Sequence, residues 1–172
     1  MYIETTRDDH RVAWLTALAI SLHIAESALP SPLPGIKPGL ANVITVIVLI
    51  QFGWRLAAWV NLLRVVAGSL LIGTFLSPTF FLSFSGALAA TLTFSVLSQL
   101  PGQGCGPMGY SVAAAMSHMG AQFWMAYILF IRHDALFHLL PLFMTAALVF
   151  GILNGVIALA LLHQLPAHLN NH

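Results

Sequence analysis

Three ionisable side chains stand in or beside apolar stretches of this sequence: Glu26, Lys37 and Arg64. A charge in such surroundings is tolerated mainly where it is paired, faces a cavity or binds something, so these positions are where chemistry is to be sought. The densest stretch runs from His23 through ESALPSPLPGIKPGLAN, which ends at Asn42. Pro38 suits the first turn of a helix, where its missing N–H would be unpaired in any case, so a helix is expected to open at 37–39. Its free N–H groups and positive dipole end, with the Lys37 ammonium beside them, favour an anionic group. Glu26 reaches the same level, about 20 Å along a preceding helix at 1.5 Å per residue. Two readings stand. Glu26 and Lys37 form an ion pair that pins the Pro-rich loop, or Glu26, Lys37, Gly39 and Asn42 form a ligand site or gate, with Thr74 and Ser77 beside them at the end of a later helix.

Arg64 and His118 form a second layer, each about a third of the way along its own apolar span. Arg64 cannot shed its charge, so it needs an acceptor: a carbonyl, Asn61, a ligand, or a snorkelling path to the interface. His118 is either a hydrogen-bonded packing residue or a ligand contact. Ala13, Ala17, Ser21 and Ala25 recur every fourth position and so share one helix face, and Gly151 and Gly155 do the same further on. Such faces permit close helix contact in lipid, either inside the molecule or against a partner subunit.

The elements that must position these residues are membrane spans. The 172-residue chain is 59% hydrophobic and 6% charged, with mean hydropathy +0.89, and positions 65–131 hold no Asp, Glu, Lys or Arg. A spanning helix needs about 20 mainly apolar residues. Six segments qualify or come close: 12–29, 38–54, 56–76, 80–100, 111–131 and 135–165, separated by Pro- and Gly-containing or charged connectors. The expectation is an all-α, six-helix transmembrane domain over 12–165 with short tails, 1–11 and 166–172. Arg7 and Arg11 ahead of an apolar stretch have the outline of a leader, but His23 and Glu26 within it favour a retained first span. With the N-terminus inside, Arg7, Arg11 and Arg55 face Lys37 and Arg132 across the membrane, which gives both termini a cytoplasmic location and makes the inner membrane of a bacterium the expected site.

Composition excludes several functions. A net charge of +1 supplies no basic surface for nucleic acid, and no segment is polar and long enough for an extramembrane enzyme domain. Cys105 is the sole cysteine, so no intrachain disulfide and no cysteine zinc site can form. Gly104, Gly106 and Gly109 fit a dinucleotide-binding spacing but follow an apolar span rather than a strand. Met116, His118 and Met119, with Met108 and Cys105, have the chemistry of a soft-metal site, but methionine on a helix usually packs. No metal or cofactor is expected.

The stretch from His23 to Val43, together with that from Arg64 to Phe80, resembles the small integral-membrane family called Gx transporter, also known as heptaprenyl diphosphate synthase component I, and the likeness covers most of the chain. The first name implies transport. The six-helix plan is similar to that of the substrate-binding S components of energy-coupling factor (ECF) transporters, which take a small nutrient from outside and rely on a membrane coupling subunit with two ATPases. On that resemblance, the loop from Pro30 to Pro38 is an outer gate for a small anionic or amphipathic substrate, and the face of Ala13, Ala17, Ser21 and Ala25 docks the coupling subunit. The second name implies a prenyl diphosphate synthase partner. Such synthases hold Mg²⁺ with Asp-Asp-x-x-Asp motifs, whereas Asp8 and Asp9 here are followed by His10, Arg11 and Val12. The chain would then be a noncatalytic subunit, not an enzyme.

Overall fold

A computed structural model describes residues 7–28, 39–99 and 106–164. They form six α-helices: α1 (Arg7–Ala28), α2 (Ala41–Phe52), α3 (Trp54–Ile72), α4 (Pro78–Ser98), α5 (Pro107–Leu129) and α6 (Leu140–Gln164). A 3-10 turn, Asp134–Leu139, leads into α6. The expected all-α membrane bundle is what the chain forms. The helix α3, the helix α4, and the 3-10 turn continued by α6 are each long and apolar enough to cross a membrane, and shorter apolar helices run over Ala13–Glu26 and Ala41–Phe52.

The helix boundaries follow local chemistry. Helix α4 opens on Pro78, with the Ser77 Oγ accepting the Phe80 N–H at 3.3 Å, a capped start with proline in the first turn. Helix α5 also opens on a proline, Pro107, but behind Gly106 and without a side-chain cap, four residues earlier than the apolar pattern indicates. Gly73 ends α3 in the left-handed conformation, φ 77°, which glycine adopts without a Cβ penalty. Helix α1 begins at Arg7, inside the stretch expected as a tail. The loss of apolar character marks the edge of a bilayer, and a helix can continue past it.

Helix α2 is the centre of the bundle. It packs against α1, α3, α5 and α6, and every residue from Val43 to Leu49 is buried, as befits a helix that is apolar all round. Its 12 residues cover only about 18 Å at 1.5 Å per residue, against a hydrocarbon core of roughly 30 Å. One end of α2 therefore lies inside the bundle. Around it, α3 packs on α4, α4 on α5 and α5 on α6.

Close approach of the helices relies on small residues. A Cβ at Gly155 would stand 2.8 Å from the Met108 Cα, and one at Gly151 3.0 Å from the Val112 Cα, so these two glycines serve the internal α5–α6 contact. The Ser111 Oγ donates to the Gly151 carbonyl at 2.8 Å across the same seam, and the Thr93 Oγ1 donates to the Ser117 Oγ at 2.8 Å between α4 and α5. Such contacts associate helices where no hydrophobic force separates protein from lipid.

Candidate functional site

The buried end of α2 is held by polar side chains from three other helices. The Glu26 Oε1, on α1, accepts the backbone N–H of Leu40, and the Asn154 Nδ2, on α6, donates to the Gly39 carbonyl at 3.2 Å. Gly39 has φ 71°, a left-handed conformation that cannot belong to a helical turn, so α2 opens at Ala41 and not at the expected 37–39. The positive end of that helix is satisfied by the protein's own carboxylate, where the sequence suggested an external anion. Lys37, and with it the expected Glu26–Lys37 pair and the Pro30-to-Pro38 gate, lies outside the described residues.

Arg64 sits midway along α3 and is 4% exposed. Its Nη2 donates to the Asn42 Oδ1 at 2.6 Å and to the Asn61 Oδ1 at 2.8 Å. Residues 61 and 64 are three apart on one helix and so share a face. Asn61 is itself fixed by its amide group, which donates to the Ala87 carbonyl at 2.9 Å and to the Thr91 Oγ1 at 3.0 Å on α4. A permanent cation is thus buried on two neutral amide oxygens. Its Nε has no protein partner, and the charge of Glu26 is near enough to act on it.

Two histidine rings complete the wall, and each lies on a glycine. A Cβ at Gly68 would come within 2.8 Å of the His23 ring, and one at Gly86 within 2.6 Å of the His118 ring. The His118 Nδ1 is buried without a protein partner.

These residues enclose a cavity of about 360 Å³ lined from all six helices, within the range of small-molecule sites. It joins Glu26, Gly39, Asn42, Arg64, Thr74 and His118, so the outer group and the Arg64–His118 layer are one site. Ser77 is not among the lining residues, because its hydroxyl caps α4. The cavity also includes His23, Thr79, Ser83, Gln122 and Asn154, which the sequence reading left unassigned to a site. Gln122 and Asn154 carried a usable signal, being amides within apolar spans, and Asn61 is the acceptor for Arg64 that the sequence offered. Gly68 and Gly86 carried none until their histidines were placed. Ala13, Ala17, Ser21 and Ala25 all lie exposed on α1, and the Ser21 hydroxyl donates to the Ala17 carbonyl at 2.9 Å, so the stripe presents no unsatisfied polar group. Among the described residues no three of His, Cys, Asp and Glu come together as a metal site requires.

A comparison with protein families matches residues 15–161 to the model described as heptaprenyl diphosphate synthase component I. No curated protein and no solved structure matches.

Proposed function

The chain belongs to the heptaprenyl diphosphate synthase component I family, and from its buried polar cavity we propose that it is a membrane substrate-binding protein, working as the substrate-specific subunit of an ECF-type uptake system. The observation that carries this reading is Arg64. A guanidinium buried on two neutral oxygens, with Nε unpartnered and a cavity in front of it, is costly unless it serves recognition. The protein holds the acceptor-seeking group in place, and the ligand supplies the acceptor. Glu26, Asn42, Asn154 and His118 complete the polar wall, while Phe80, Met119 and Phe150 supply apolar surface. The chain performs no catalysis of its own in this reading. Energy comes from a partner, with the exposed face of Ala13, Ala17, Ser21 and Ala25 as the docking surface. The inner membrane, with both termini cytoplasmic, is the location consistent with the charge pattern.

The family description favours a second reading, in which the chain is the noncatalytic membrane subunit that accompanies a soluble prenyl diphosphate synthase. Purification from native membranes in mild detergent separates the two. Co-purifying ATPases and a retained small molecule are the result expected for a substrate-binding subunit. A co-purifying soluble prenyl synthase, with no retained small molecule, refutes it in favour of the second reading.

A further inference from the structure

The cavity holds two buried charges of opposite sign that do not neutralise each other directly. Arg64 and Glu26 are 4% and 5% exposed. Their described partners are neutral: the Asn42 and Asn61 amide oxygens for Arg64, and the Leu40 N–H for Glu26. Burying a charge in this way is expensive, and a direct ion pair would ordinarily offset part of the cost. The two groups are instead anchored two residues apart, at Leu40 and Asn42, on either side of the first residue of α2. Each keeps part of its bonding capacity. The bond to Leu40 uses only Oε1 of Glu26, and the bonds to Asn42 and Asn61 use only Nη2 of Arg64. The Nε of Arg64 has no partner at all.

Ligand charge follows from this arrangement. Apart from its two histidines, the described wall carries one permanent cation, Arg64, and one carboxylate, Glu26. A simple anion would satisfy Arg64 but place a second negative charge beside a buried carboxylate. A simple cation would do the converse. Like charges forced together in a low-dielectric site oppose binding. A molecule bearing both signs meets both groups.

Resting on the proposal that this cavity binds a substrate, we infer that the substrate is a small zwitterion, its anionic group on Arg64 and its protonated amine on Glu26. This differs from the anionic substrate that the sequence suggested through Lys37 and the start of α2. The difference arises because Glu26 already occupies the Leu40 N–H.

The test uses the full chain in detergent micelles or nanodiscs and a panel of matched triplets. Glycine, β-alanine, 4-aminobutyrate, 5-aminopentanoate, leucine and phenylalanine vary the charge separation and the apolar bulk. Each is paired with its deaminated acid, which lacks the cation, and its primary amide, which lacks the anion. Thermal shift identifies binders and calorimetry measures them. The expected result is that at least one zwitterion binds and that both of its analogues bind roughly tenfold or more weakly, the loss of one charge-assisted hydrogen bond. Glu26→Gln retains an acceptor for the Leu40 N–H and should erase the discrimination between the zwitterion and its deaminated acid. If that variant does not fold, the wild-type triplets decide alone. Deaminated acids or amides that bind as tightly as the zwitterions overturn the inference while leaving a ligand-binding cavity standing. A panel in which no zwitterion binds also overturns it, and the molecule retained in native purification then decides separately whether the cavity binds a substrate.

Discussion

Asn61 is the position at which the placement of the buried cation is best tested. Its side chain is 1% exposed and makes three hydrogen bonds, accepting from Arg64 at 2.8 Å and donating to the Ala87 carbonyl at 2.9 Å and the Thr91 Oγ1 at 3.0 Å. Asn61→Leu keeps the approximate volume and removes all three. A hydrogen bond to a charged group is worth about 1.5 to 3 kcal/mol and a neutral one about 0.5 to 1.5 kcal/mol. The helical carbonyl of Ala87 and the hydroxyl of Thr91 can fall back on backbone partners, so the charged bond dominates. The expected destabilisation is about 2 to 4 kcal/mol, because Arg64 also keeps Asn42. Asn61→Asp separates stability from recognition. It offers Arg64 a carboxylate inside the protein, so it should retain more stability than Asn61→Leu and yet weaken binding of a ligand whose acceptor competes for the same guanidinium. Reversible unfolding in mixed micelles measures the first quantity and calorimetry the second. An Asn61→Leu protein within about 0.5 kcal/mol of the parent would refute the claim that Asn61 holds the cation. An Asn61→Asp protein that binds as well as the parent would refute Arg64 as the ligand contact.

Gly86→Ala places a methyl 2.6 Å from the His118 ring, so the ring must leave its seat; a loss of about 1 to 3 kcal/mol in unfolding free energy is expected, with a measurable fall in affinity for the bound molecule. Ser77→Ala removes the cap of α4 and should cost about 1 kcal/mol with affinity unchanged, since Ser77 is not part of the cavity wall; a binding defect in a stable protein would place it there after all. Ala17→Leu adds bulk to an exposed face and should leave the isolated chain folded by circular dichroism while abolishing co-purification of a coupling subunit. The isolated chain should form no prenyl product from allylic and isopentenyl diphosphates with Mg²⁺, and turnover by protein free of any synthase would overturn the proposal that it is noncatalytic.

The positions of the helices were legible because bilayer thickness imposes a length on each apolar run and Pro, Gly and charged residues punctuate the rest. Their inward faces were not. In a soluble helix the apolar stripe points to the core, but α3, α4 and α6 meet lipid on one side and protein on the other, and both surfaces are apolar. Rotation about the helix axis therefore left no trace in hydropathy, and Arg64 and His118 could be set at one depth without being joined to Glu26. Polar residues inside the spans were the better guide, since their cost in lipid forces them inward. Glu26, Asn42, Arg64, Thr74 and His118 do converge on one cavity. Asn61, expected as an acceptor for Arg64, is one of the two residues that hold the cation, and the same reasoning applied to Gln122 and Asn154 would have extended the wall.

The start of α2 shows how a local rule can misplace a function. Proline after lysine marked a helix N-terminus, and a helix N-terminus attracts an anion, so an anion site was expected there. Gly39 turns left-handed instead, the helix opens at Ala41, and the Glu26 carboxylate takes the Leu40 N–H. That shift of a few residues has consequences for the whole site. A helix filling the span from 38 to 54 would have carried apolar side chains further along the axis of the bundle. Helix α2, about 18 Å long, ends short and leaves its polar terminus facing the cavity. Arg64 is reached through Asn42, in the first turn of the helix, so the same short helix orients both charges. Changes that lengthen or shorten α2 at this end should therefore alter recognition more than changes at exposed positions on α3, α4 and α6 that lie away from the cavity.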